Sequence, residues 1–190
     1  MIFRKKLPYL FILTLLVASC NREKFDTEDS DFQNIYNNLI DDGNDWEVTM
    51  DTEVHAYDFI LSEDRTIKSI GYQSHSDLTS TEYVIGILNN IDSSIVYSEG
   101  HLFNSDDISY AIPSSTVNLE SGVPYTISRI QTNWATYITQ TIGHGVRTDS
   151  THYPVSNGVL TITETNSHDY GETNYYLTDY ILPRIDLVFE

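Results

Sequence analysis

The strongest constraint on this chain is a period of two. From Trp46 onward, apolar and β-branched residues come in short runs separated by turn signals. Tyr57, Phe59 and Leu61 alternate, Glu63-Asp64-Arg65 turns the chain, and 66–72 runs on as a second strand. Residues 83–88 are apolar on both faces, 89–94 are polar, and Ile95-Val96-Tyr97 returns, which predicts a hairpin over 83–97. Further strands are expected at 108–112, 117–119, 125–130, 134–142 (Trp134, Ile138 and Ile142 against Tyr137 and threonines), 153–155, 159–163, 175–181 and 185–189, with Asn157-Gly158 as a hairpin turn. These spacings are those of sandwiches and barrels. Strands do not alternate with helices, which argues against a parallel α/β sheet. The reading is an all-β domain over 46–190, an antiparallel β-sandwich of two packed sheets, preceded by one short N-terminal helix.

That helix is expected over 31–43. Phe32, Ile35, Tyr36, Leu39 and Ile40 fall at i, i+3, i+4, i+7 and i+8, a single apolar stripe. Asp29, Ser30 or Asp31 can cap its start and Gly43 its end. A helix this short is marginal alone, so the stripe must pack on the β body.

The first residues follow another grammar. Arg4, Lys5 and Lys6 precede an apolar run from Leu7 to Ala18, too short for a bilayer span of about 20 residues. Charge, apolar run and then small residues is the pattern of an export signal over 1–19. The boundary Val17-Ala18-Ser19-Cys20 resembles the lipobox of bacterial lipoproteins. The resemblance implies that the Cys20 thiol receives a diacylglycerol, that the signal is cut before it, and that the new amino terminus is acylated. Cys20 is the only cysteine, so no disulfide competes for it. Asn21 is not the aspartate that retains many such proteins in the inner membrane, so the resemblance implies an outer-membrane lipid anchor. Residues 20–30 read as a flexible tether, and its acidic stretch Glu23-Lys24-Phe25-Asp26-Thr27-Glu28-Asp29 resembles tethers that send lipoproteins to the cell surface.

Removing residues 1–19 removes three basic side chains and no acid. The mature chain then carries 7 Lys and Arg against 28 Asp and Glu, a net charge of −21. Such a surface opposes nucleic acid and anionic head groups, so no nucleic-acid partner is expected. Thirteen of the 14 tyrosines lie in the mature 171 residues, as suits a pleated, half-buried surface. The body also resembles jelly-roll-like sandwich domains of secreted bacterial proteins. Ile70-Gly71-Tyr72 ends one strand, Leu119, Gly122 and Tyr125 form an L-x-x-G-x-x-Y pattern, and 183–187 make a P-x-I-D-L-like last strand. That resemblance carries no site.

No chemical motif stands out. No G-x-S-x-G elbow, H-E-x-x-H or C-x-x-C occurs, and His55, His75, His101, His144, His152 and His168 share no ligand spacing. No metal, cofactor or catalytic residue is therefore expected. The acidic turns 41–45, 105–107 and 168–172 lack the spaced calcium-loop pattern and read as solvated turns. Glu82, Glu99, Glu120 and Glu164 lie in or beside expected strands, where a glycan-active enzyme would need a carboxylate pair. Trp46, Trp134 and the tyrosines are candidates for a sugar platform. The expectation is a lipid-anchored binding or interaction module without enzymatic activity, its partners being the membrane through Cys20 and a glycan or envelope protein. The alternatives are a small glycan-active sandwich enzyme and a purely structural envelope component.

Overall fold

The computed structural model describes residues 29–47, 52–137, 143–167 and 180–190. The lipobox and Cys20, the 168–172 turn and the expected strand residues 138–142 and 175–179 lie outside the described residues.

Helix α1 (Asp31–Asp41) forms where the apolar stripe predicts it. Ser30 is its cap: the hydroxyl accepts the Gln33 backbone N–H at 3.0 Å, satisfying one of the first-turn donors. At the other end Gly43 adopts φ +91°, a left-handed conformation that glycine enters without a Cβ penalty, and its N–H bonds the Ile40 carbonyl. Phe32, Ile35, Tyr36 and Leu39 are buried, so the helix is held by its packing on the β body.

All described strand pairings are antiparallel. The largest sheet has six strands in the order β10 (Val155–Asn157), β11 (Leu160–Thr165), β2 (Val54–Leu61), β8 (Pro124–Gln131), β4 (Tyr83–Asn89) and β5 (Ser94–His101). The expected 83–97 hairpin is β4–β5, with a register shift at Ile87 and Leu88. β8 shows the period-two logic most clearly: Tyr125, Ile127, Arg129 and Gln131 are buried, and the residues between them are half-exposed.

The layer facing this sheet is divided, so the expected two sheets are three. One part is β13 (Asp186–Phe189), β3 (Arg65–Tyr72) and β6 (Ser109–Ala111), with β7 (Asn118–Leu119) also pairing β3. The other is β1 (Trp46–Glu47), β9 (Gly145–Thr148) and β12 (Tyr180–Pro183). Both face the six-stranded sheet. Tyr72 of β3 meets Tyr83 of β4 edge-on at 5.2 Å, and β12 lies against β2 and β11. The core between the layers is apolar and ring-rich, with Tyr57, Phe59, Ile70, Ile85, Ile127, Ile162 and Leu187 fully enclosed. The arrangement is a sandwich of antiparallel sheets.

A second correction concerns 134–142. Residues Trp134–Thr136 form one turn of 3-10 helix, not the start of a strand. Asn133 at φ +57° turns the chain out of the β8 ladder before any alternation can be used.

Candidate functional site

The chemistry-bearing side chains form four groups. The first joins α1 to the body. Asp186, fully buried on β13, accepts hydrogen bonds from Ser30 Oγ at 2.6 Å, Tyr110 Oη at 2.8 Å and Gln33 Nε2 at 3.2 Å. Burial raises its carboxyl above the ordinary range, and the three hydrogen bonds and the nearby Arg184 charge offset only part of that. Beside it, Asp31 Oδ2 accepts the Val159 N–H at 2.9 Å, across the β10–β11 turn. Gly158 in that turn sits at φ +51°, and a Cβ there would overlap the Asp31 carboxylate. These contacts form a clasp that holds the helix.

The second group is buried. Arg129 lies with its guanidinium 5.4 Å from the ring centroids of both Tyr72 and Tyr83, and it meets His55 Nδ1 and the Glu53 carbonyl. No carboxylate lies within ion-pair reach of it among the described residues, so ring faces and neutral acceptors carry its charge. Burial raises the Tyr72 hydroxyl to about 12, with the Arg129 charge acting against that rise.

The third group edges the sandwich at β5. Tyr97 Oη lies 2.5 Å from His101 Nε2 and donates to Glu99 Oε2 at 3.1 Å, and Glu99 accepts the Ser114 hydroxyl and, at 3.1 Å, its backbone N–H. The Ser114 bonds hold the Glu99 carboxyl below its ordinary range. Burial lowers His101 despite the charges of Glu99 and Glu82. The structure thus brings Glu82 and Glu99 to one histidine, while Glu120 lies in the turn before β8 and Glu164 in β11. A glycosidase general acid needs a raised carboxyl; Glu99 is displaced the other way. The group latches the 112–116 loop to the edge strand.

The fourth group is open to solvent. Trp46, 49% exposed, tilts against the His144 ring at 5.5 Å and lies close to Tyr36, whose buried hydroxyl has no hydrogen-bond partner among the described residues. Arg184 lies over the same Tyr36 ring, 5.6 Å from its centroid. β1, β9 and β12 place these residues: Trp46 pairs Val146, Val146 pairs Leu182, and His144 and Arg184 stand just beyond the ends of β9 and β12, where the Arg184 backbone N–H donates to the His144 carbonyl at 2.9 Å. Tyr36 of α1 closes the floor and is 2% exposed. Burial pushes its hydroxyl well above the usual phenol range. Burial and the Arg184 charge hold His144 below the usual imidazole range, with Asp107 opposing, so the ring is neutral at pH 7. Arg184 makes one long side-chain hydrogen bond, Nη2 to Gln33 Oε1 at 3.5 Å, and its Nε has no partner among the described residues. The arrangement offers an aromatic face, a donor fork and a neutral imidazole on a rigid floor.

Neither a family model nor a curated protein matches this chain.

Of the residues singled out in the sequence, Trp46 lies in an open site and Trp134 lies half-buried in the turn after β8. The acidic turn at 41–45 ends α1, and 105–107 lies between β5 and β6. Among the described residues no three His, Cys, Asp or Glu side chains converge on a point that would hold a metal ion. No described helix is long and apolar enough to cross a membrane. Tyr36, His144 and Arg184 were not legible as a set. The one sequence signal was Arg184 and Asp186 interrupting an otherwise apolar last strand.

Proposed function

We propose that this chain is a lipid-anchored, exported binding module of the cell envelope, held by acyl chains on Cys20 and presenting the Trp46 face to its ligand. The observation that carries the reading is Trp46 itself. A large aromatic side chain is left half in solvent while its neighbours fix its orientation, which is how binding sites present ring faces.

The placement of α1 supports the anchor. A tether from Cys20 reaches Ser30 in ten residue steps, at most about 36 Å fully extended. It meets the body at the clasp, and Trp46 follows the far end of the helix, 11 residues or about 16 Å away. The Trp46 face then points away from the bilayer. The tether end carries Asp29, Asp31, Asp64, Glu120 and Glu190 around Arg65. Like charge there keeps the body off anionic head groups.

Two measurements test this. The Cys20→Ser chain should move from the detergent to the aqueous phase on extraction; continued partition with detergent would remove the anchor from the reading. A glycan-array screen of the soluble domain should give saccharide binding that Trp46→Ala removes. Binding that persists in Trp46→Ala would place the ligand elsewhere. A second reading, contact with an envelope protein, is favoured by the β4–β5 tip, where Leu88, Ile91 and Ile95 are exposed. Cross-linking in intact cells would favour it if partners attach at Ile91 and not at Trp46.

A further inference from the structure

We infer that the Trp46 face takes a neutral saccharide and rejects polyanionic ones, an inference that rests on this face being the ligand site. The argument starts from complementarity. A pyranose presents a C–H face and a rim of hydroxyls that both donate and accept. The half-exposed indole of Trp46 matches the C–H face. The Arg184 fork can donate to paired hydroxyls, its one side-chain hydrogen bond among the described residues being a long one. The neutral His144 ring beside the indole adds a group with one donor and one acceptor nitrogen.

Charge then decides between a neutral and an acidic sugar. Arg184 is the cation of the face, and its field is already directed at Asp186, whose carboxyl it lowers, and at His144. Exposed Asp41, Asp42 and Asp45 lie on the segment leading into Trp46, and the charge of Asp107 reaches His144. A uronate arriving here meets more acid than base, on a mature chain of net charge −21. Hydroxyls meet no such opposition. The mature charge and the local one therefore act in the same direction.

The test uses the full chain in detergent and one saccharide in two forms: hexagalacturonic acid and the same oligosaccharide with its carboxyls reduced to alcohols, with cellohexaose and mannohexaose as further neutral probes. At low salt at least one neutral probe should bind, and the reduced hexamer should bind at least tenfold tighter than the acid. The gap should narrow in 0.5 M NaCl, where the Debye length falls to about 4 Å. Trp46→Ala should weaken neutral binding at least tenfold with an unchanged melting midpoint, and Trp46→Phe should restore part of it. Arg184→Gln should weaken it about tenfold; because Arg184 packs on Tyr36, Arg184→Lys serves as the folded control. If the acid binds as tightly as the reduced form, or tighter, the neutral-sugar inference is overturned while the face remains the ligand site. If no probe binds, or Trp46→Ala leaves binding unchanged, both fall.

Discussion

Replacing Asp186 separates what its carboxylate holds from what its charge costs. The side chain is fully enclosed and receives three hydrogen bonds, from Ser30, Gln33 and Tyr110. Asp186→Ala leaves three donors without their acceptor. At about 1–2 kcal/mol each that is roughly 3–6 kcal/mol, and removing a desolvated carboxylate returns part of it, so a net loss of about 3 kcal/mol is expected. That is a large share of a domain stability of about 5–15 kcal/mol. Asp186→Asn behaves differently. Its carbonyl oxygen can serve Gln33 and Tyr110, which share Oδ2, and its amide can donate to Ser30 Oγ, which has lone pairs to accept. The asparagine form should lose less than about 1 kcal/mol at pH 7. The pH profile gives a second reading. The folded-state pKa is raised above the ordinary 3.8. The group therefore favours folding most below that value, and its contribution falls as pH climbs through the raised pKa. Relative to Asp186→Asn, the parent should be most stable at pH 3 and lose ground toward pH 7. Urea unfolding of residues 21–190 across this range measures both effects. A cost below 1 kcal/mol for Asp186→Ala, or a parent-minus-asparagine difference that does not change with pH, would refute the reasoning.

Three further outcomes are expected. Arg129→Met should cost less than about 1 kcal/mol, because the lost ring contacts are offset by relief of a buried charge that has no carboxylate partner among the described residues, whereas Arg129→Ala should cost about 3 kcal/mol or more by leaving a cavity; a methionine form as damaged as the alanine form in chemical denaturation would mean that the guanidinium is needed for its charge. Gly158→Ala should cost more than about 1 kcal/mol in the parent and less in an Asp31→Ala background, since the overlap with that carboxylate adds to the strain of the positive φ; strict additivity in a double-mutant cycle would remove the Asp31 contact from the account. Leu39→Asp, placing a charge at a 3% exposed position of α1, should lower the thermal midpoint by several degrees, and an unchanged midpoint would make the helix a mere spacer.

The parts of the fold that were legible are those where one period holds over a whole element. The stripe Phe32, Ile35, Tyr36, Leu39 gave α1, and Tyr57, Phe59, Leu61 gave β2. β9 was not legible, because Gly-Val-Arg-Thr is too short to show alternation and borrows its strand conformation from β1 and β12. Trp134 to Thr136 misled for the opposite reason: strand-forming residues followed a backbone reversal at Asn133 that propensity does not encode. Arg129 could have been placed, since it occupies an inward register position between Ile127 and Gln131. The Trp46 face could not, because its members at 36, 46, 144 and 184 are joined only by strand register and by the seat of α1.

The clasp at the head of α1 also defines a mechanical load path. For a chain held at Cys20, tension along the tether arrives at Ser30 and Asp31 before it reaches any strand. Ser30 passes it through Asp186 to β13 and β6, and Asp31 passes it to the β10–β11 turn of the opposite sheet. The pull is therefore divided between both layers of the sandwich. No single ladder is peeled open bond by bond, and the helix must first be sheared from two anchors at once. A body held in this way is insulated from tension on its tether by a handful of hydrogen bonds placed where the force comes in.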